Sequence, residues 1–531
     1  MKINKFTSLF ATCLLMGLTA CSNDNVSDAD YSNSAKDKDL TGKTSFSITS
    51  EAKTRTSGVY NSGVDFYWTP NDNIWVNSGS TTSPTLTASS SNNITSTTTS
   101  AKFYFDGTYT AASYPVRYTG KASTSGNTVT IATSQNQDEA NNATQLGTVG
   151  DCGVGTATRQ TDGSYKFTLS HKASYITFMP YYSKEPLDAS AVVTQIKVEA
   201  ANDEKLAGTF NFSDSGLGAA NSSSNSVTLT LNGTSSTTGF PIPTTATASK
   251  NAAIMVVAPG TYSTFKVTYT LYDSVTGTKS TISYTYSGIN CIAGKNQVIK
   301  TDLGMATYTS RKNKYYMWDA VSNYWDGHAN SQPLLNNAVN TNYATSSGDS
   351  RWYNTTFTDK VQTKAINSCK DAPTFEALTW YIGGGSPQLD NKTLWVFANH
   401  LYAGGIWLKK KSKILGFNPA ESYTGTATWV SGKDIKFTVS NFGKPESTVR
   451  SDYFYLPALG QYVDGKLTGL GVKGYYWAST PNPVNDGDRS QPYGKVISAN
   501  CLRFATDATL NNVYVRSYYE RYVGMQVQKF E

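Results

Sequence analysis

Apolar residues along this chain recur mostly at every second position, in short bursts separated by Gly, Ser, Asn and Thr. Residues 44–49, TSFSIT, begin the pattern: Phe46 and Ile48 alternate with Ser45 and Ser47, the period of a half-buried strand. The segment 64–76, VDFYWTPNDNIWV, predicts two short aromatic strands joined by a Pro-Asn-Asp turn. Further strands are expected where Ile196 and Val198 alternate in QIKVEA, and at 206–212, 227–231, 253–258, 265–272 and 280–286. Loop-forming clusters such as 219–226 separate them. From Met305 the texture changes, with tryptophans gathering and serine tracts thinning. One short helix is expected over 374–381, where Phe375, Leu378 and Trp380 lie near one face behind Pro373.

The start of the chain is patterned differently. A basic opening with Lys2 and Lys5 precedes an apolar run, 9–18, and small residues before Cys21, the three parts of a secretory signal. That run is far short of the ~20 apolar residues that cross a bilayer. Residues 22–42 are polar, lack an apolar period and read as a flexible tether.

Composition narrows the class. Tyr 35, Phe 21 and Trp 10 sit among many Ser and Thr, with only 16% charged residues, the usage of β-sheet proteins. At 531 residues the chain exceeds one core, and roughly three or four domains are expected. The formal charge of +7 becomes +5 once Lys2 and Lys5 leave with the signal, and no basic stripe forms, which argues against a nucleic-acid partner. Of six cysteines, Cys13 leaves with the signal. Setting Cys21 aside, Cys152, Cys291, Cys369 and Cys501 are candidate disulfide partners whose wide spacing specifies no pairing.

Several segments carry resemblances. Leu18-Thr19-Ala20-Cys21 resembles the lipobox of bacterial lipoproteins, which implies lipidation of Cys21, cleavage before it, and attachment to the outer membrane through the Cys21 lipid. The segment R-T-S-G leading into FYWTPNDNIWV resembles the start of fimbrillin-like (Mfa/FimA-type) pilus subunits and surface lipoproteins of Bacteroidales. Further pieces arrive in that family's order: Phe103-Tyr104-Phe105 with 109–115; Val129-Thr130-Ile131 before Gln135-Asn136-Gln137, read as the strand and glutamine closing a hairpin; residues 167–173; and 291–299, which is similar to the strand ending a fimbrillin domain. The resemblance covers about 44–303 and implies two tandem transthyretin-like β-sandwiches. In that family a trypsin-like cut after Arg or Lys removes the first strand, and a strand from another subunit fills the gap. Arg55, with Lys53 the alternative, would be the cut site here.

The tail, through 453–460, 474–480, 501–504 and 524–528, is similar to the loop-rich α+β C-type-lectin-like fold of the fibrobacter paralogous type. The family's C-P-x-G-W-R-x-P-T is reduced to Cys369, Pro373 and Thr374, so a Cys369–Cys501 pairing is only weakly implied. The expected organisation is a signal at 1–20, a tether at 21–43, sandwiches at 44–185 and 186–303, and an adhesion domain at 304–531.

Catalytic chemistry finds little footing. His171, His328 and His400 lie apart without metal-ligand spacing, and there is no C-x-x-C or G-x-S-x-G. Formylglycine-generating chemistry would want a cysteine pair where Cys501 stands alone. The lectin calcium triplets are absent. Asp486 and Asp488 in NPVNDGDR could offer oxygen ligands, although such clusters are more often loops. Gly383-Gly384-Gly385 lacks a phosphate loop's context. No cofactor is expected. Trp318, Trp325, Trp352 and Trp407 could present a ligand surface with Asp486 and Asp488, although most tryptophans here suit a core better. The sequence thus predicts a non-enzymatic fimbrial tip or minor subunit that assembles with other fimbrial subunits by donor-strand exchange and binds an unidentified glycan or protein. The alternative is a permanently anchored surface lipoprotein.

Overall fold

The computed structural model describes residues 40–48, 57–61, 63–233, 238–355, 364–425, 434–482, 498–506 and 511–531. The chain divides into two units, Met1–Gly42 and Lys43–Glu531, and all described strands belong to the second. The fold is mainly β, with several sheets.

The first sheet closes on itself. Its order is Leu86–Ala88, Trp75–Asn77, Ser113–Tyr118, Gly153–Arg159, Tyr165–Phe167, Lys43–Ile48, Ala101–Asp106 and Ser91–Asn92. The two end strands are nearly one segment: between them Ser89 N–H donates to Ile74 O at 2.9 Å and Ser90 N–H to Tyr104 O at 2.8 Å. One continuous stretch therefore covers both edges, removing the open edge that would invite stray strand pairing. Alternate residues face inward, so Phe46, Trp68, Val76, Phe103, Phe105, Val116, Tyr118 and Tyr165 fill the interior. The two aromatic strands expected over 64–76 do not pair with each other. Val64–Tyr67 forms a hairpin with Ser57–Tyr60, while Trp75–Asn77 enters the closed sheet. The turn between them is as its residues predict: Asp72 accepts from Thr69 N–H at 2.6 Å, and Asn71 adopts φ 73°.

The next layer crosses the boundary expected at residue 185. Ser134–Gln137 runs parallel to Ser226–Leu231, and Thr128–Ile131 pairs with Ala207–Ser213. Ser174–Tyr181 is the middle strand between Ala253–Val257 and Asn296–Asp302, and is buried along almost its whole length. One apolar core joins these strands, running from Val64 through Phe178 and Val256 to Leu401. Alternation reveals that a strand exists and which face is apolar, but not its partner. For that reason the pairing was not legible.

The same core reaches beyond residue 304, since Leu394, Val396 and Leu401 belong to it. The described strands beyond residue 304 form a sheet around Gln388–Phe397 and His400–Lys409 and another around Lys473–Pro481 and Ser498–Ala505. The helix is Phe375–Gly383, capped by the Thr374 hydroxyl, which accepts from Ala377 N–H at 3.2 Å. It buries Phe375, Leu378, Tyr381 and Ile382, whereas Trp380 lies half-buried against Tyr423. The chain's last residues are held: Gly524 and Tyr462 exchange backbone hydrogen bonds at 2.8 Å, Val527 N–H donates to Lys314 O at 3.0 Å, and Phe530 is buried.

Candidate functional site

The first strand, Lys43–Ile48, sits inside the closed sheet rather than at a border. It pairs antiparallel with Ala101–Asp106 through six residues, Lys43↔Asp106 to Ile48↔Ala101, and parallel with Tyr165–Phe167 through three. Phe46 is fully buried, stacked on Tyr165 at 4.6 Å and 8°, with the Phe105 and Tyr109 rings edge-on at 4.9 and 5.4 Å. Two residues on, Ile48 fills the next inward position at 2% exposure. At the strand's outer end Lys43 Nζ donates to Asp106 Oδ1 and Ser90 Oγ, at 2.8 and 2.9 Å. That hydrogen bond and charge hold the Asp106 carboxyl below its usual range. Without this strand, two facing rows of backbone N–H and C=O groups would stand open around an aromatic slot. Such a gap would match in shape an extended segment carrying an aromatic residue and, two positions later, an aliphatic one.

Lys53 and Arg55, which follow the strand in sequence, lie outside the described residues, as do Cys21, Asp486 and Asp488.

The structure corrects the aromatic surface. Trp318 and Trp325 are 0% and 1% exposed, so both are core. Trp318 Nε1 donates to Ala478 O at 3.0 Å, with the Arg521 guanidinium 4.6 Å over its ring, and Trp325 packs against Tyr462. Large rings with one polar atom suit the interior when that atom finds a backbone acceptor, as Trp318 does. Trp407 is half-buried, donating to Asp390 Oδ2 at 2.9 Å beside Tyr455. Trp352, also half-buried, lies against Tyr353.

No family model matches this chain, and no curated protein matches it. Among solved structures, a fimbrial protein of Bacteroides ovatus is 10% identical, covering 91% of this chain and 99% of that one, with a TM-score of 0.24. A protein of Bacteroides uniformis, provisionally named as a cell adhesion protein, is 14% identical over 49% of this chain and 91% of its own, with a TM-score of 0.29. A similarly named protein of Bacteroides fragilis is 11% identical over 49% and 92%, with a TM-score of 0.25. These likenesses are faint.

The four downstream cysteines are free thiols, so no pairing among Cys152, Cys291, Cys369 and Cys501 is formed. Cys369 and Cys501 do share one apolar cluster, and Cys152 and Cys291 another. Burial pushes the Cys291 thiol up to about 11 and raises the other three as well, which makes all four poor nucleophiles at neutral pH. His171 and His400 are anchored by Asp151 and Asp273 at 2.7 and 3.1 Å. Among the described residues no group of three metal-ligating side chains forms, and no helix is long and apolar enough to cross a membrane.

Sequence reasoning missed what Gln135 and Gln137 do. They do not close a hairpin. Gln135 Nε2 donates to Val256 O at 2.7 Å while its Oε1 accepts from Val256 N–H at 3.0 Å; Gln137 does the same with Ala252 O and Ile254 N–H, at 3.0 and 2.7 Å. Each side-chain amide stands in for a strand peptide group, satisfying the outer edge of Ala253–Val257. The signal was present as glutamines two apart, both facing one side. Tyr343, Asp464 and Tyr522, which line a cleft with Trp352, were also missed.

Proposed function

We propose that this chain is a non-enzymatic adhesin of the cell surface, exported as a lipoprotein precursor through Cys21 and built into a fimbria as a tip or minor subunit. One observation carries the reading: the strand nearest the candidate cut site is an interior strand of a closed sheet, paired on both sides. A cut after Arg55 or Lys53 would sever it from the rest of the chain. Its departure would then expose two unsatisfied strand edges and the slot of Phe46, which a strand from another subunit can fill.

The tip assignment is supported by how residues 522–531 are held. In the resembled family the donor strand follows the second sandwich. Here Met525 and Gln526 are fully buried, and Met525–Gln526 pairs with both Tyr315–Tyr316 and Lys473–Pro481. Tyr381 Oη also donates to Glu531 O at 2.9 Å. Pulling this segment out to serve a neighbour would open the interior that holds it. A subunit that accepts a strand without giving one ends the polymer.

The test is a precursor carrying Arg55→Ala and Lys53→Ala, expected to remain monomeric and surface-anchored. Fibres formed by that double variant would overturn the processing step. Immunogold against residues 305–531 is expected at one end of each fibre; label along the whole length would overturn the tip assignment.

A further inference from the structure

A cleft of about 240 Å³ opens in the part of the chain beyond residue 304, walled by Tyr343, Thr345, Trp352, Asp464 and Tyr522 over buried Met317. It is smaller than the about 300 Å³ at which drug-sized pockets begin, so it suits a single side chain or small group. Its first wall is braced. Arg351, 8% exposed, forks onto Asp349 at 3.0 and 2.6 Å and donates through Nη1 to Asn342 O at 2.7 Å, tying together the loop that presents Tyr343, Thr345 and Trp352. Tyr343 is stacked on Tyr324, and Trp352 leans on Tyr353 at 4.9 Å, so both rings are fixed by neighbours outside the cleft. The opposite wall is the tight turn between Leu459–Val463 and Lys466–Leu470. There Asp464 adopts φ 47°, and Gly465 N–H donates to Tyr324 Oη at 3.2 Å.

Asp464 is exposed and, among the described residues, is the only charged one lining the cleft. Among the described residues no ion pair reaches it, and Arg351 is already taken by Asp349. The Tyr522 hydroxyl is held above its usual value, first by burial and then by the Glu520 and Asp464 carboxylates.

We propose that this cleft takes a primary ammonium group, a lysine side chain offered by a partner protein; this rests on the adhesion reading above. Aromatic faces attract a cation through their quadrupoles, and the methylene stem of lysine packs along rings while its head stays at a polar rim. The carboxylate selects the primary amine, because –NH₃⁺ donates three hydrogen bonds and a quaternary ammonium none. A neutral sugar could hydrogen-bond the Asp464 carboxylate but would gain no charge pairing from it.

The experiment titrates the full chain with Nα-acetyl-lysine amide, choline and methyl glucoside by NMR, alongside Asp464→Asn and Trp352→Leu. Asparagine tolerates the left-handed backbone at this turn, so Asp464→Asn should keep its melting temperature. The lysine compound is expected to bind in the millimolar range, with Asp464→Asn weakening it about two- to fivefold, the size of one solvent-exposed ion pair. Absence of saturable binding, equal binding of choline or methyl glucoside, or an unchanged Asp464→Asn would each overturn the assignment. Cells displaying Asp464→Asn that still adhere would remove the cleft from adhesion while leaving the adhesion reading intact. Cells lacking the chain that adhere equally well would sink the adhesion reading itself.

Discussion

Replacing Phe46 with alanine should loosen the first strand more than any other single change in it. The ring is fully buried and parallel to Tyr165 at 4.6 Å, with two further aromatic edges against it. Truncating a buried phenylalanine costs about 3–5 kcal/mol through lost transfer energy and the cavity left behind. The aromatic pairings put this site toward the upper end, since each is worth about 0.5–1.5 kcal/mol beyond area. With a urea m-value of about 3 kcal/mol per molar, the midpoint should fall by about 1–1.7 M. Hydrogen exchange at Ala101–Asp106 and Tyr165–Phe167 should rise together, because both strands lose their shared neighbour. In chain cut after Arg55, the same variant should release its first strand faster and accept a competing peptide sooner. A midpoint shift below about 0.3 M, or exchange that rises on one flank only, would refute the picture of an interior strand held chiefly by this ring.

Other perturbations follow the same logic. Gln137→Ala leaves Ile254 N–H without the acceptor it has now, while Ala252 O keeps the Asn141 N–H, and should cost about 1–3 kcal/mol, read by chemical denaturation. Arg117, 2% exposed, binds Asp214 at 2.6 Å and three further oxygens; Arg117→Leu should cost about 3 kcal/mol or more, and a loss under 1 kcal/mol would contradict its bracing role. Burial pushes Tyr284, Tyr308 and Tyr381 up to about 12. Their folded pKa exceeds the unfolded value of about 10, so their contribution is whole below pH 10 and is lost as pH rises toward 12. Absorbance at 295 nm should therefore show tyrosines that ionise only as the fold is lost, whereas complete, reversible titration near pH 10 with intact structure would contradict this.

Local pattern carried the fold class and several elements. Phe46 and Ile48, two apart among serines, announced the first strand, and Pro373 with Thr374 announced the helix. What alternation could not carry was partnership. Nothing local tells Ser134–Gln137 that its neighbour is Ser226–Leu231, or Gln135 that its amide will meet Val256. Tryptophan count pointed to a binding face, yet Trp318 and Trp325 are interior, because indole rings with a backbone acceptor or ring partners in reach are as much at home in a core. The cleft was invisible for the converse reason. Asp464 and Gly465 mark only a turn, and Tyr343, Trp352 and Tyr522 reach it from distant segments.

The most direct test of donor-strand exchange is mass spectrometry of the N-terminus of this chain in isolated surface fibres. A removed first strand predicts polymerised molecules that begin at Thr56, or at Thr54 if Lys53 is the cut site. Acylated Cys21 on every polymerised molecule would contradict it.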